Sequence, residues 1–431
     1  FRPTPDPAGC CASAFRPTPD PAGCCASAFR LAPDPVGAVS GPAEFVEAVV
    51  VVAANPQQQQ KLIGRANCSA FYFISNKYVL LALLTTSAYH GATFSANMAR
   101  DTIMTEQTNL SIMADIGGTN TRVALADGLV VRPDSIQRFK NADYAGLKAV
   151  LAEYLQNHPE VQPDAACAAI AGPVRDGKGT LTNLDWTVDR ELLTRATGAR
   201  IATVINDLQA QGHAVGHLNE SQCVLVKEGH DAGPQAARLV VGVGTGFNAA
   251  PVYRASAVTL VPPGEAGHTN LPASDALTHE FSTNFASEHG FCSVEDALSG
   301  RGLGHIYRWL AKRAGSSVRK DAPEIMETCA NGQDPLATET VAFFAKTLGN
   351  VCGNLALTTL PFGGIYLVGG VARAITPYMA AHGFSEAFLA KGRFSDFMQQ
   401  FKSWSVDDDY AALSGMAALL QELRTGAPDR H

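Results

Sequence analysis

The chain has few of the features that mark a nucleic-acid-binding, membrane-spanning or disulfide-stapled protein. It has no basic excess: 33 Lys and Arg stand against 40 Asp and Glu, a formal net charge of −7. That balance argues against a general nucleic-acid or anionic-membrane surface. A local phosphate site survives the argument, because backbone amides build one without Lys or Arg. There is no run of about 20 apolar residues, the length a helix needs to cross a bilayer. Tyr78–Ala88, YVLLALLTTSA, comes nearest. It resembles the apolar core of a secretory signal, but it lies far from the N-terminus where a signal belongs. From Met104 onward there is no Cys-x-x-Cys pair. Only Cys167, Cys223, Cys292, Cys329 and Cys352 remain of the ten cysteines, widely spaced, which is the usage of a reduced, cytoplasmic protein.

What is present is an ordinary globular composition, 46% hydrophobic and 17% charged, over 431 residues. That length allows two or three domains at roughly 150 residues each. The first hundred residues differ in kind. FRPTPDPAGCCASA at Phe1–Ala14 recurs unchanged at Phe15–Ala28, and a decayed copy begins at Phe29. Its prolines exclude helix and strand, and its Cys-Cys pairs lack the histidine or spaced second pair of a metal site. Residues 1–103 are therefore expected to be a low-complexity leader, disordered or not native. Met98, Met104 and Met113 are candidate starts.

Beyond the leader, SIMADIGGTNTRVALAD at Ser111–Asp127 places a glycine turn between two strand-like runs. Gly117 and Gly118 let backbone N–H groups meet an anion with no Cβ in the way. Thr119 and Asn120 add side-chain donors, and Asp115 is suited to a hydrated Mg²⁺. A plain hairpin turn is the alternative. Ser135–Phe139 is read as a third strand, Asp143–His158 as an amphipathic helix, and Ala165–Ala171 and Ile201–Ile205 as further strands. AGPVRDGKG at Ala171–Gly179 nearly matches a P-loop, but Gly179 replaces the Ser or Thr and a strand follows, so a hairpin is expected. Asn206-Asp207 closes the strand at Ile201–Ile205, and a carboxylate there is placed to act as a general base. The competing reading makes Asp207 a helix cap.

The second half repeats the theme. VVGVGTGFNAA carries Gly244, Thr245 and Gly246 after an apolar strand, and LVGG carries Gly369 and Gly370 after another. PPGEAGHTN offers Glu265 and His268 in one loop, able to bracket hydroxyl groups. Glu295 lies in SVEDALSG, where the alternative is an exposed residue in a helix's first turn. Phe343–Leu357 and Ala411–Leu423 have helical periodicity, with Gly349 and Gly353 forming a small-residue face. His279-Glu280 lacks the second histidine of a zinc-protease helix, since Thr283 occupies its place.

Three glycine turns after strands, an Asn-Asp at a strand end and a Glu-x-x-His loop, in this order, resemble the bacterial glucokinase family. That family belongs to the sugar-kinase, Hsp70 and actin superfamily, and the resemblance runs from about Leu110 to Leu423. It implies an α/β, two-lobed, actin-like ATPase (ribonuclease H-like) fold with an interlobe cleft. The small lobe would be residues 104–217 completed by 408–431, and the large lobe residues 218–407. It also implies transfer of the γ-phosphoryl group of ATP to the 6-hydroxyl of glucose. By motif, Ala114, Asp115, Ile116, Gly117, Gly118, Thr119 and Asn120 would hold phosphate and, at Asp115 through water, Mg²⁺. Gly244, Thr245 and Gly246 would meet the transferring phosphoryl group, and Gly369 and Gly370 adenosine. Asn206, Asp207, Glu265, His268 and Glu295 would grip the sugar, with Asp207 as base. The zinc-binding branch of sugar kinases carries a cysteine cluster after its Gly-His; here Cys292 stands alone, which disfavours that branch. Glucose and ATP are thus the expected partners, with no nucleic acid or membrane. Self-association into a homodimer is left open. The rival readings are a catalytically silent sugar sensor and a kinase for another hexose.

Overall fold

The structure is a computed structural model that describes residues 109–181 and 184–426 in full, together with the backbone of residues 50–53, 70–75 and 78–83. The chain divides between Ile103 and Met104 into two units. In the first, β1 (Val50–Ala53), β2 (Ala70–Ser75) and β3 (Tyr78–Leu83) form an antiparallel sheet in the order β1-β3-β2. The fourteen-residue repeats and Gln57–Gln60 lie outside the described residues.

The second unit carries two six-stranded sheets built on one plan. The first begins with the hairpin β4 (Leu110–Ile116) and β5 (Asn120–Asp127), extended by β6 (Val130–Val131) and β7 (Gln137–Lys140). After helix α1 (Leu147–Gln156) comes β8 (Ala165–Ile170), parallel to β4. A small sheet of β9 (Val174–Arg175), β10 (Lys178–Thr180) and β11 (Thr187–Asp189) precedes α2 (Arg190–Thr197). Strand β12 (Ile201–Asn206) then pairs parallel with β8, and α3 (Asp207–Ala214) follows it directly. Every residue of β8, AACAAI, is buried, as a central parallel strand covered on both faces requires.

The second sheet repeats this arrangement. β13 (Cys223–Lys227) is its edge, and β14 (Arg238–Val243) and β15 (Phe247–Ala255) are its hairpin, flanked by β16 (Val258–Leu260). Helices α4 (Ala276–His289), α5 (Val294–Ala297), α6 (Gly300–Arg313), α7 (Ala322–Ala330) and α8 (Pro335–Thr359) intervene. β17 (Ile365–Val368) returns parallel to β14, followed by α9 (Gly370–Met379), α10 (Phe384–Leu389) and α11 (Ser395–Met398). β18 (Ser403–Val406) completes the parallel set, and α12 (Ala411–Arg424) crosses back to the first sheet. The glycine turns β4–β5 and β14–β15 thus occupy equivalent places in two copies of one motif.

Helix α3 is shared by the two lobes. Its Ala210 packs with Ile205, Met113 and α12, whereas Leu208 and Ala214 pack with Val240, Val252 and Val261 of the second sheet. The Gln209 amide donates to the Val261 carbonyl at 2.8 Å. On the other side α12 comes so close that a Cβ on Gly415 would lie 1.8 Å from the Ala210 carbonyl oxygen. Only glycine permits that crossing.

Two boundaries differ from the sequence reading for the same reason. The third strand starts at Gln137, not Ser135, because the Ser135 hydroxyl accepts the Leu125 N–H at 2.9 Å and holds a 3₁₀ turn there. Helix α1 starts at Leu147, not Asp143. Asn141–Asp143 form a 3₁₀ turn that brings the buried Asn141 against the first glycine turn. The P-loop-like segment is the hairpin β9–β10, turning on Asp176 and Gly177, both at positive φ.

Gly415→Ala pushes α12 off α3 and is expected to cost about 1–3 kcal/mol of stability, the usual range for overpacking. Thermal unfolding of the variant should show a clear drop. An unchanged melting temperature would mean that the crossing relaxes freely.

Candidate active site

The sheet register explains why the first lobe concentrates charge at one edge. Asp115 pairs across β8 with Ala169, which pairs with Ile205 on β12. Asp207 lies just past the end of β12, so both carboxylates emerge at the C-terminal edge of parallel strands, where open α/β sheets bind ligands. Burial pushes the Asp207 carboxyl up to about 6, and the Asp115 charge adds to the effect. The Leu208 N–H opposes it, while the Glu265 charge raises it further. Burial also raises Asp115, against the pull of Arg122, whose Nη1 donates to Asp115 Oδ2 at 3.2 Å.

The helix cap belongs to Asn206, not Asp207. Asn206 Oδ1 accepts the Leu208 N–H at 2.8 Å, its own N–H goes to Gln209 Oε1 at 3.0 Å, and Nδ2 donates to the Gly172 carbonyl at 3.0 Å. Asp207 is the first residue of the helix, also accepting from Leu208 N–H at 2.8 Å. The capping chemistry is thereby satisfied by its neighbour, whose side chain also hydrogen-bonds the Asp207 carboxylate and partly offsets its rise.

The first glycine turn is a true hairpin, closed by the Gly117 N–H on the Asn120 carbonyl at 3.0 Å. Gly118 and Thr119 are exposed at its tip, and Asn120 is half-buried. Ala114 and Ile116 point into the core with Ala168 and Ile170, so any part they take in binding is confined to their backbone. Asn141 was missed from sequence. Its Nδ2 donates to the Gly117 carbonyl at 2.8 Å, its N–H to the Thr119 carbonyl at 2.9 Å, and its Oδ1 accepts from Thr121 Oγ1 at 2.7 Å. One buried side chain therefore sets the turn.

In the second lobe Glu295 is the organising group. It is not an exposed residue of a first turn: its side chain is 18% exposed, with Oε2 accepting the Phe247 N–H at 2.9 Å and Oε1 the Arg301 guanidinium at 2.7 Å. A Cβ on Gly246 would lie 2.4 Å from Glu295 Oε2, so glycine at 246 is what lets the carboxylate in. Asn248, also missed, shapes the loop that carries Glu265 and His268. Its Nδ2 donates to the Gly264 carbonyl at 2.6 Å, and its Oδ1 accepts the Ala266 N–H at 3.0 Å. Glu265 and His268 are mostly exposed, 4.0 Å apart. His268 and Glu295 line a cavity of about 600 Å³ with Ser293 and Asp296.

Gly244, Thr245 and Gly370 meet in a second cavity of about 830 Å³, whose far wall is Gly304, Arg308 and the segment Arg319–Pro323. Gly369, at φ +105°, turns the chain into α9 beside the Val243 carbonyl. The Gly244 carbonyl accepts the Gly300 N–H at 2.8 Å, tying this turn to the start of α6. The α6 and Arg319–Pro323 walls carry no motif in the sequence. Asn248 had a weak one, an asparagine just after the second glycine turn, whereas Asn141, 24 residues from Gly117, had none.

A family model described as Glucokinase matches residues 112–423. The chain belongs to the glucokinase family. Among curated relatives, the glucokinase of Sinorhizobium fredii is 32% identical over 314 residues, covering 73% of this chain and 92% of its own length. The crystal structure of a glucokinase from an Antarctic psychrotroph is 31% identical, with a TM-score of 0.66, and covers 73% of this chain and all of its own. A ROK family glucokinase from Streptomyces griseus, solved in complex with glucose and AMPPNP, shares the fold at 18% identity and a TM-score of 0.50, covering 72% of this chain and 98% of its own. The two-lobed actin-like fold anticipated from sequence is therefore that of this glucokinase-family chain. Cys292 is buried and its thiol is pushed up to about 12 by burial, a core residue of the second lobe.

Within the family fold, a side chain at Gly244 would meet no protein atom within 4 Å. Gly244→Val should therefore fold normally, raise the KM for ATP at least tenfold and leave glucose affinity by direct titration unchanged. Unaltered ATP kinetics would reduce the second glycine turn to a structural hairpin.

Proposed function

We propose that this glucokinase-family enzyme transfers the γ-phosphoryl group of ATP to the 6-hydroxyl of glucose, with Asp207 as the general base. The observation that carries this reading is the position of Asp207: one step past the capping residue, at a strand end, with its ionisation held near 6 by burial and by Asp115. Phosphoryl transfer needs positioning and charge stabilisation more than covalent chemistry. A base whose carboxyl titrates near 6 is ionised at neutral pH yet basic enough to accept a hydroxyl proton.

Asn206, Glu265, His268 and Glu295 would grip the sugar. Asn206 is fixed beside Asp207 by its bond to Gly172, and Glu265 and His268 are mostly exposed on a loop that Asn248 holds in shape. The two glycine turns, Gly117–Asn120 and Gly244–Gly246, would receive phosphate oxygens through backbone N–H groups. Gly369 and Gly370 would border adenosine. Asp115 suits a hydrated Mg²⁺: one oxygen is engaged by Arg122, and the described residues hold no cluster of three metal-ligating side chains. That is the donor set for a cation bound mainly through water and phosphate. When bound, Mg²⁺ neutralises charge on the β- and γ-phosphates. Reaction in the cytoplasm is supported by the five described cysteines, all free thiols.

Asp207→Asn keeps size and hydrogen bonding but cannot accept a proton. Its turnover is expected to fall about 10²–10⁴-fold, with glucose affinity changing far less. Near-normal turnover would sink the catalytic assignment.

The pH dependence follows from the raised pKa of Asp207. In the wild type, kcat/KM should fall as pH drops through about 6, where the base becomes protonated. The stability effect has the opposite sense. The folded state holds its proton more tightly than the unfolded chain, so ionising Asp207 costs stability as pH rises from about 4 to about 6. Asp207→Asn is thus expected to melt higher than wild type at pH 8, with the difference gone near pH 4. Parallel melting curves at all pH values would show that Asp207 is not strained in the fold.

A further inference from the structure

Arg308 and Arg319 line two cavities at once. One is the groove of Gly244, Thr245 and Gly370; the other lies behind it, between α4, α6 and the segment Ser316–Arg319. The rear cavity has a volume of about 270 Å³. Its charged lining is Arg308, Lys312 and Arg319 against the single carboxylate of Glu288, which Lys312 already pairs at 3.2 Å. This is a positive hollow on a chain of net charge −7. Arg308 is half-buried and Arg319 exposed, and neither has a hydrogen-bonded or ion-paired partner among the described residues. Arg308 acts on Glu288 and His305 only at longer range, its charge favouring the Glu288 carboxylate and disfavouring a protonated His305.

Arg308 is the guanidinium partly withdrawn from water here; without an anion that has a cost, and charge-assisted bonds to phosphate are its strongest remedy. The serines at 316 and 317 add hydroxyl groups to the same wall. A water occupies about 30 Å³, so the hollow has room for a phosphate and an organic body besides.

We propose that the rear cavity binds the phosphate group of a small phosphomonoester, at a site separate from the chemistry, and that ATP senses it through Arg308 and Arg319. An anion behind these two side chains draws them out of the nucleotide groove. The occupied state therefore binds ATP less well while the base and the sugar grips are untouched. The proposal rests on the reading of the front groove as the nucleotide site.

The test follows ADP formation by the full chain at saturating glucose over a range of ATP, with chloride holding ionic strength constant. One arm adds inorganic phosphate, another glucose 6-phosphate. The expected result is a rise of several-fold in the KM for ATP at unchanged kcat, in the ester arm or in both. A response to both means that the phosphate group suffices; a response to the ester alone means that the organic body is also read. Lys312 and Ser317 line only the rear cavity. Lys312→Ala and Ser317→Asp should keep the basal constants, and the inhibition constant should rise about tenfold, the loss of one charged contact. Three outcomes overturn the proposal: no response in either arm, inhibition relieved by more glucose, or full sensitivity in both variants. Failure of the underlying functional reading is distinct, since the unmodified enzyme would then form no ADP on glucose before any addition.

Discussion

The charge on Asp115 makes Asp207 harder to ionise, and the sheet register leaves the two carboxylates no way to separate. Strands β4 and β12 flank β8 in parallel, and β8 is buried along its whole length, so their ends are fixed relative to one another. The rest of the first lobe makes this repulsion tolerable. Arg122 meets Asp115 from β5, and Asn206 takes over the helix cap so that Asp207 need not spend an oxygen on it alone. A site arranged in this way gives up some folding stability for a carboxylate with the basicity the reaction calls for.

The second lobe solves a different problem, that of holding still the exposed groups proposed to grip the sugar. Glu295 reaches the start of β15 through Phe247 and the first turn of α6 through Arg301. Asn248, one residue further along β15, fixes the loop of Glu265 and His268. These supports share one short stretch of backbone, Gly244–Asn248, which also forms the second glycine turn. The geometry of the Glu265, His268 and Glu295 side and that of the second glycine turn are therefore set together.

The glycine turns, the strands that carry them, Asp207 and the long helices α8 and α12 were legible in the sequence, because apolar periodicity and strand-borne glycines are local signals. Gly349 and Gly353 were legible too: a Cβ at either would lie within 2.6 Å of a carbonyl oxygen of Phe384 or Phe388. The parts that were not legible depend on residues distant in sequence. Asn141 acts 24 residues away on Gly117, and nothing near Asn141 says so. Glu295 was expected at the site only by family resemblance, since its bond to β15, 48 residues earlier, leaves no local signal. Arg308 and the Arg319–Pro323 wall form a surface only once α6 and α7 are packed.

The bond from the Gly300 N–H to the Gly244 carbonyl, described above as a tether, makes α6 a rigid lever. A fourteen-residue helix moves as one body, and this one has the second glycine turn at its front end. Arg301, holding Glu295, lies on its first turn, and Arg308 lies two turns further on. The residue that holds Glu295 and a residue that lines the groove of Gly244, Thr245 and Gly370 thus stand on one helix, whose first N–H is bonded to the second glycine turn. Both halves of the second lobe's candidate site therefore share a single backbone support.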